Sequence, residues 1–315
     1  MAEPLLCIAG PTASGKTALA ITLAEALNGE LVSVDSALVY RGLDIGSAKP
    51  DYPHHLVNIC DPSEAYSASR FVDDALQAID GIAQRGRRPI LVGGTMLYYR
   101  ALLEGLAPMP AADPELRAEL ESRGVSEGWP ALHKELEALD PGAAARIHPN
   151  HSQRLVRALE IRLLTGESLG EVYARTVARE NDLNSLVVAV APRERAVLHD
   201  RISRRFDHMM DAGFLDEVRA LYARDDLRPE LPAMRAVGYR QLWEHLDSEC
   251  SLEEAIDRGK AATRQLAKRQ FTWLRKWPDL RWIYTDADNQ VVAHDFRESD
   301  PPIDNPSDLL LNYLT

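Results

Sequence analysis

Residues 10 to 17 read Gly10-Pro11-Thr12-Ala13-Ser14-Gly15-Lys16-Thr17, and their reading decides the fold. The apolar run Leu5-Leu6-Cys7-Ile8-Ala9 comes just before them, and a periodic apolar segment, Ala18 to Leu27, follows. Strand, glycine-rich loop and helix in that order, at the spacing G-x-x-x-x-G-K-[ST], describe a phosphate-binding loop. The chemistry needs these residue types. Gly10 and Gly15 let the backbone curl until successive N–H groups point at one anion, and the helix start adds partial positive charge. Lys16 supplies a compact cation, and the Thr17 hydroxyl can hold Mg²⁺. The bland alternative is an ordinary strand-to-helix turn. The loop marks a di- or triphosphate site without saying which phosphate compound it takes.

At 315 residues the chain has room for one large domain or two smaller ones. Its 45% hydrophobic and 27% charged content is that of a soluble globular protein. Cys7, Cys60 and Cys250 are scattered, with no C-x-x-C pair, which argues against a disulfide framework or a zinc site. No apolar run approaches the ~20 residues of a membrane span, and no basic region precedes the first apolar run. A reduced, cytoplasmic setting is expected. The net charge of −12 argues against a nucleic-acid partner, but a net value hides distribution.

Glu30-Leu31-Val32-Ser33-Val34-Asp35 reads as a second strand ending on a carboxylate. Ligands of parallel α/β sheets gather at the carboxyl ends of strands, so Asp35 is expected beside the loop. An irregular stretch to Pro53 precedes a helix over Ala68–Gln84 with Phe71, Ala75, Leu76 and Ile79 on one face. Ile90-Leu91-Val92-Gly93-Gly94-Thr95 is a third buried strand, continued by helix from Met96 to Leu103. At Pro108-Met109-Pro110 the character changes, and from Asp113 to Asp182 the pattern is helical throughout. Asp113-Pro114 reads as a cap with proline at the first helical position. Helices are expected at Trp129–Leu139 and at Ser152–Leu164, the latter stopped by Gly166. Ser185 to Ala191 returns to strand. Helices follow over Arg193–Ala212, Phe214–Ala223, Tyr239–Leu246, Leu252–Arg258 and Lys260–Lys276. Leu280 to Tyr284 is a candidate edge strand, and Asp286 to Thr315 a polar tail, partly disordered at its tip. The expected fold class is therefore α/β, a P-loop NTPase-like parallel sheet core with a helical insertion. Residues 1–112 and 183–315 form the core, and 113–182 the insertion.

Three constellations could carry chemistry. The first is the loop with Asp35, which could hold a metal, accept a proton from an incoming amine or hydroxyl, or merely cap the next turn. The second is Arg201, Arg204 and Arg205. They form either a solvated face paired with Asp200, Asp207 and Asp211, or a guanidinium clamp over phosphates. The third runs from Arg258 to Trp282, where eight Lys and Arg residues face the single acid Asp279. Its interleaved aromatics, Phe271, Trp273, Trp277 and Trp282, read mostly as core, and its cations as a surface for a nucleic-acid backbone. Arg154 and Arg157, with Gln153, make a smaller polar face on the insertion.

Taken together these stretches resemble the bacterial tRNA dimethylallyltransferases, also called tRNA isopentenyltransferases. The resemblance rests on residues 10–17, on Asp35-Ser36-Ala37-Leu38-Val39-Tyr40-Arg41-Gly42-Leu43-Asp44-Ile45-Gly46-Ser47-Ala48-Lys49-Pro50 and on Gly93-Gly94-Thr95-Met96-Leu97-Tyr98. It continues through Gln153 to Glu160, Ala236 to Gln241 and Lys268 to Arg275. It implies transfer of a dimethylallyl group from dimethylallyl diphosphate to N6 of the adenosine 3′-adjacent to the anticodon in tRNA. On that reading Gly10 to Thr17 hold the donor's diphosphate, Thr17 assists Mg²⁺, and Asp35 is the base on the adenine amine. Arg205, and with less force Arg201, contact the leaving pyrophosphate. The tRNA-contacting positions would be Asp35, Ser36, Ala37 and Leu38, then Thr95 and Arg117, and Gln153, Arg154, Leu155, Val156 and Arg157. Farther along they would be Arg235, Ala236, Val237, Gly238, Tyr239 and Arg240, and then Lys268, Arg269, Gln270, Phe271, Thr272, Trp273, Leu274 and Arg275. The resemblance also implies a monomer acting on the anticodon arm. Leu38 departs from the Gln of many members, and no Cys/His zinc module follows the core. Two other enzymes stay open: a P-loop kinase of a small metabolite, and an adenylate isopentenyltransferase with a free nucleotide as acceptor. A non-catalytic RNA-binding module would have no use for Lys16, Thr17 and Asp35 together.

Overall fold

The structure, a computed structural model, describes residues 4–107, 109–175, 183–296 and 304–314. Strand β1 (Leu5–Ala9) is buried along its whole length and runs through the glycine-rich loop into helix α1 (Lys16–Ala26). Then come β2 (Gly29–Val34), the two-residue β3 (His54–His55), α2 (Ala68–Gln84), β4 (Arg88–Gly93) and α3 (Met96–Leu103). Helices α4 (Pro114–Ser126), α5 (Trp129–Leu139), α6 (Pro141–Ala144), α7 (Ser152–Thr165) and α8 (Leu169–Ala174) follow without a strand among the described residues. The chain returns with β5 (Ser185–Pro192), α9 (Arg195–Asp211), α10 (Phe214–Tyr222), α11 (Tyr239–Leu246) and α12 (Leu252–Leu274). It ends in β6 (Arg281–Thr285), β7 (Val291–His294) and α13 (Pro306–Leu314). Two compact units result, one of residues 1–103 with 182–315, the other of residues 104–181.

The first unit is built on one seven-stranded sheet in the order β3-β2-β4-β1-β5-β6-β7, parallel except where β7 runs against β6. Side chains alternate across a strand, so each apolar run feeds two cores. Leu6, Ile8, Leu31 and Ile90 meet Leu19 and Leu23 of α1 and Leu309 and Leu310 of α13 on one face. On the other, Cys7, Val32, Val34 and Leu91 join Phe71 and Ala75 of α2 and the aromatic residues of α3, α10 and α11. Crossovers of this kind bring the carboxyl ends of β1, β2 and β4 side by side: Ala9 pairs with Gly93, and Gly93 with Val34. The backbones touch there, because a Cβ on Gly93 would lie 2.1 Å from the Val34 carbonyl oxygen.

The structure corrects four sequence expectations. The helix break expected at Gly259, between Leu252–Arg258 and Lys260–Lys276, does not occur, and α12 runs unbroken for 23 residues. Gly259 is there for contact, since a Cβ would fall 2.4 Å from the Phe206 ring. Strand β6 is not an edge, because β7 pairs with its outer side. Part of the polar tail is ordered, with Leu309 and Leu310 of α13 fully inside the core. Tertiary burial of those two leucines outweighs the polar composition around them. Finally, Trp273 is not core but 37% exposed, with the Arg100 guanidinium 5.5 Å above its ring. Pro108, residues 176–182 at the end of the expected insertion, and residues 297–303 and 315 of the tail lie outside the described residues. No helix among the described residues is long and apolar enough to cross a membrane.

The second unit is helical. Asp113 caps α4 as its sequence reads, its Oδ1 accepting from the Glu115 and Leu116 N–H groups at 3.0 Å each. Leu120, Leu132, Leu136, Leu155 and Leu159 form its core. At the edge of that core lies Glu160, with no exposed surface. Arg117 donates to both its oxygens at 2.9 Å, Arg157 to Oε2 at 2.5 Å, and the Asp113 N–H to Oε1 at 2.8 Å. Burial by itself raises a carboxyl, but the two arginines outweigh it and hold Glu160 below its ordinary value. Glu160 therefore stabilises the fold at every pH above about 4.5, and the contribution fades as pH falls through its lowered folded value. Glu160→Ala leaves two guanidiniums facing an empty site and should cost about 3 kcal/mol at pH 7. Hydrogen exchange of the α4 and α7 amides would show it as faster opening, and unchanged exchange would contradict it.

Candidate active site

Loop 10–15 is shaped to leave donors free. Gly15, the residue before α1, has φ +91° and no side chain capping the helix, so the first N–H groups of α1 keep no intramolecular partner of that kind. Gly10 cannot carry a side chain, because a Cβ would sit 2.5 Å from the Val190 oxygen and 2.7 Å from Ser14 Oγ. The Ser14 hydroxyl is buried and makes no hydrogen bond among the described residues. A buried polar atom without a partner costs free energy unless a ligand completes it.

Three side chains brace the loop. Lys16 Nζ donates to the Pro11 oxygen at 3.2 Å. Arg205, on α9, donates to Thr12 Oγ1 at 2.5 Å. Gln270, on α12, accepts from the Thr12 N–H through Oε1 and donates to the Gly94 oxygen through Nε2, both at 2.9 Å. Next to Gly94, Thr95 Oγ1 accepts from the Ser36 N–H at 3.1 Å, joining the loops that leave β4 and β2.

Asp35 stands where β2 ends. Its Oδ1 accepts from the Ala37 N–H at 2.8 Å and the Leu38 N–H at 3.4 Å, so it caps the turn. Its Oδ2 has no hydrogen-bond partner among the described residues, while the residue lines a cavity of about 150 Å³. Lys16, Thr17 and Arg205 line the same cavity, with Ala48, Ile202, Met209 and Val237 supplying apolar wall. Burial draws the Lys16 pKa down to about 8; the Asp35 carboxylate pushes it back up and Arg205 lowers it further. Burial likewise lowers Arg205, again against Asp35. Two cations crowded into a poorly solvated corner, with the Asp35 carboxylate the only one acting on both among the described residues, favour an incoming anion.

Glu217 of α10 was not singled out from sequence. Its carboxylate accepts from the N–H groups of Asp44, Ile45 and Gly46 at 2.9, 2.6 and 3.1 Å, and from the Tyr239 hydroxyl at 2.6 Å. Residues 46–48 and Tyr239 line the cavity, so Glu217 fixes one of its walls. Gly46 leaves room for that wall, since a Cβ would overlap the Phe214 ring at 2.0 Å.

The remaining expected positions divide by burial. Arg201 is not at the cavity: it donates to the Asp286 and Ala287 oxygens at 2.9 Å each and so holds the loop after β6. Arg204 is exposed and paired with Asp200. Ala37, Leu38, Ala236 and Val237 line the cavity. Leu155, Val156 and Leu274 are core residues, and Gly238, Tyr239 and Gln270 are buried, so none of these six presents a side chain to bulk solvent. Gln153, Arg154, Arg235, Arg240, Lys268, Arg269, Thr272, Trp273 and Arg275 are exposed. Arg117 and Arg157 are committed to Glu160. Between α9 and α12 lies a second, larger groove of about 630 Å³, lined by Arg193, Arg195, Arg264, Lys268 and Arg275 around Phe271 and Tyr284.

The family model described as IPP transferase matches residues 38–277. The chain belongs to the IPP transferase family. Solved structures agree. This IPP transferase is similar to the full-length tRNA isopentenylpyrophosphate transferase of Bacillus halodurans, with 43% identity over 90% of each chain and a TM-score of 0.65. It is 33% identical to the tRNA delta(2)-isopentenylpyrophosphate transferase of Staphylococcus epidermidis, over 90% of this chain and 93% of that one, with a TM-score of 0.61. A eukaryotic dimethylallyltransferase acting on tRNA matches at 30% identity over 91% of this chain and 74% of its own, with a TM-score of 0.73. The P-loop-like α/β fold expected from residues 10–17 is thus the fold of these prenyltransferases.

Proposed function

We propose that this IPP transferase carries a dimethylallyl group from dimethylallyl diphosphate to N6 of adenosine 37 of tRNA, 3′-adjacent to the anticodon, releasing diphosphate. The observation that carries the reading is the shared cavity: half-buried cations, a carboxylate oxygen without a partner among the described residues and apolar wall meet in one space. An allylic C–O bond breaks heterolytically once its leaving group is stabilised. The electron pair goes to the diphosphate oxygen, whose charge falls on Lys16, Arg205 and the free N–H groups of the loop. The N6 lone pair forms the new C–N bond, and Asp35 Oδ2 takes the proton that N6 gives up. The acceptor base must leave its stack to enter so small a space.

The residues also fit a Mg²⁺ ion. Among the described residues no group of three His, Cys, Asp or Glu side chains could cage a metal. Mg²⁺ instead keeps waters and takes one or two protein oxygens plus substrate phosphates, as Thr17 with the donor's diphosphate would provide. When bound, the ion would neutralise charge on the leaving group.

For the RNA, support comes from charge placement. Lys268 and Arg269 on α12, and Arg275 just past its end, are exposed along the same stretch as Trp273, in a chain whose net charge is −12. Cations contact backbone phosphates and exposed aromatic rings stack on unpaired bases. The test is transfer of label from dimethylallyl diphosphate with Mg²⁺ to unmodified tRNA, beside tubes holding AMP as acceptor or ATP as donor. Label is expected in tRNA alone. Label in AMP, or consumption of ATP without transfer, would overturn the reading.

A further inference from the structure

We infer that the Ser33 hydroxyl is a ligand-binding group of the active site, accepting a hydrogen bond from a water of the Mg²⁺ that accompanies the diphosphate. The inference rests on the function proposed above. Ser33 is 1% exposed, and its Oγ makes no hydrogen bond among the described residues, yet the residue lines the catalytic cavity. Strand neighbours are apolar: Val32 and Val34 flank it, and its register partner in β4 is Val92. A hydroxyl in such a strand has no structural reason to be there, and left unpaired it is a liability that alanine would remove.

The geometry says which end of the cavity it serves. Residues two apart on a strand share a face. Leu31, two before Ser33, packs in one cluster with Leu19, Ala20 and Leu23 of α1. Ser33 therefore faces α1 at the level where that helix begins with Lys16 and Thr17, and Asp35 is the next residue on the same side. This is the diphosphate end. Donors are already plentiful there in Lys16, Arg205 and the loop N–H groups, and Ser33 is the hydroxyl that β2 brings to that end. A metal with few protein ligands keeps water, and those waters need acceptors to orient them. Ser33 supplies one without adding charge.

The test compares wild type with Ser33→Ala, using inorganic pyrophosphate as the probe and calorimetric titration as the readout, in Mg²⁺ and in EDTA. With Mg²⁺, affinity should fall about 10- to 100-fold, the usual cost of losing an outer-shell partner. In EDTA the two proteins should agree within a factor of about two. The empty variant should melt at or above the wild-type temperature, because an unpaired buried hydroxyl has gone, and Ser33→Thr should restore the Mg²⁺-dependent affinity. Equal affinity in Mg²⁺ would overturn the inference. An equal loss in both buffers would move the hydrogen bond to a phosphate oxygen and overturn the metal assignment. A lower melting temperature of the empty variant would show a structural partner instead. If wild type itself binds no pyrophosphate, the failure lies with the proposed function and not with Ser33.

Discussion

Asp35→Asn should slow single-turnover prenyl transfer by about 10³-fold, within the 10²–10⁴ range of a lost general base, while leaving donor affinity within a few-fold. Asparagine is the informative change. Its side-chain oxygen can still accept from the Ala37 and Leu38 N–H groups, so the turn that Asp35 caps survives. What disappears is the unpaired oxygen facing the cavity. If Asp35 mainly held the metal, the same variant would lose Mg²⁺-dependent donor binding instead. A small loss of affinity is expected above pH 8, because the Asp35 charge is what pushes the Lys16 pKa upward. Near-normal turnover would show that another group, or solvent, takes the proton.

Lys16→Met should separate stability from function in the opposite sense. Burial lowers the Lys16 pKa from 10.5 to about 8 in the empty protein. Folded Lys16 is charged below pH 8 and carries the full burial penalty there; between pH 8 and 10.5 the penalty fades, since the folded form sheds its proton while the unfolded one keeps it. Methionine keeps a similar shape and removes a half-buried, poorly solvated charge, so the empty variant should melt a few degrees higher at pH 7, with the gain shrinking towards pH 10. Pyrophosphate affinity should drop by about 10² or more, as for other donors aimed at a developing anion. A cost in stability with affinity retained would mean that Lys16 serves the fold through its Pro11 contact and not the ligand.

How much of this could be read beforehand follows from where each signal lies along the chain. The phosphate loop, the three apolar strands around it and Asp35 are contiguous stretches whose chemistry is complete within a few residues. Glu217 is different. It contacts backbone N–H groups about 170 positions away, which have no residue signature, so nothing in Leu215-Asp216-Glu217 distinguishes it from a surface acid. Gln270 was hidden by its company. It sits between Arg269 and Phe271 in a basic run, yet Ala255, Gly259, Thr263, Ala267, Gln270 and Leu274 mark the buried stripe of one helix at spacings of three and four. That stripe turns Gln270 inward to clamp Thr12 and Gly94 while Lys268 and Arg269 face solvent. The small residues of the stripe, Gly259 above all, look like interruptions to a propensity argument and become visible as packing only when the Phe206 ring is in place. Arg201 and Arg205 share a helix face and a residue type, and only the position of the loop after β6 decides that one holds Asp286 and Ala287 and the other reaches Thr12.

The central claim is that a cavity holding Lys16, Arg205 and Asp35 joins an allylic carbon to an extruded adenine. Nucleotide-resolved mass spectrometry of tRNA after incubation with dimethylallyl diphosphate and Mg²⁺ tests it most directly. The added mass is expected on a single adenosine, the one 3′ to the anticodon, carried on N6 and forming about 10³-fold more slowly when Asp35→Asn replaces the wild type. Mass on the ribose or phosphate, on several adenosines, or forming at the same rate with Asp35→Asn would contradict it.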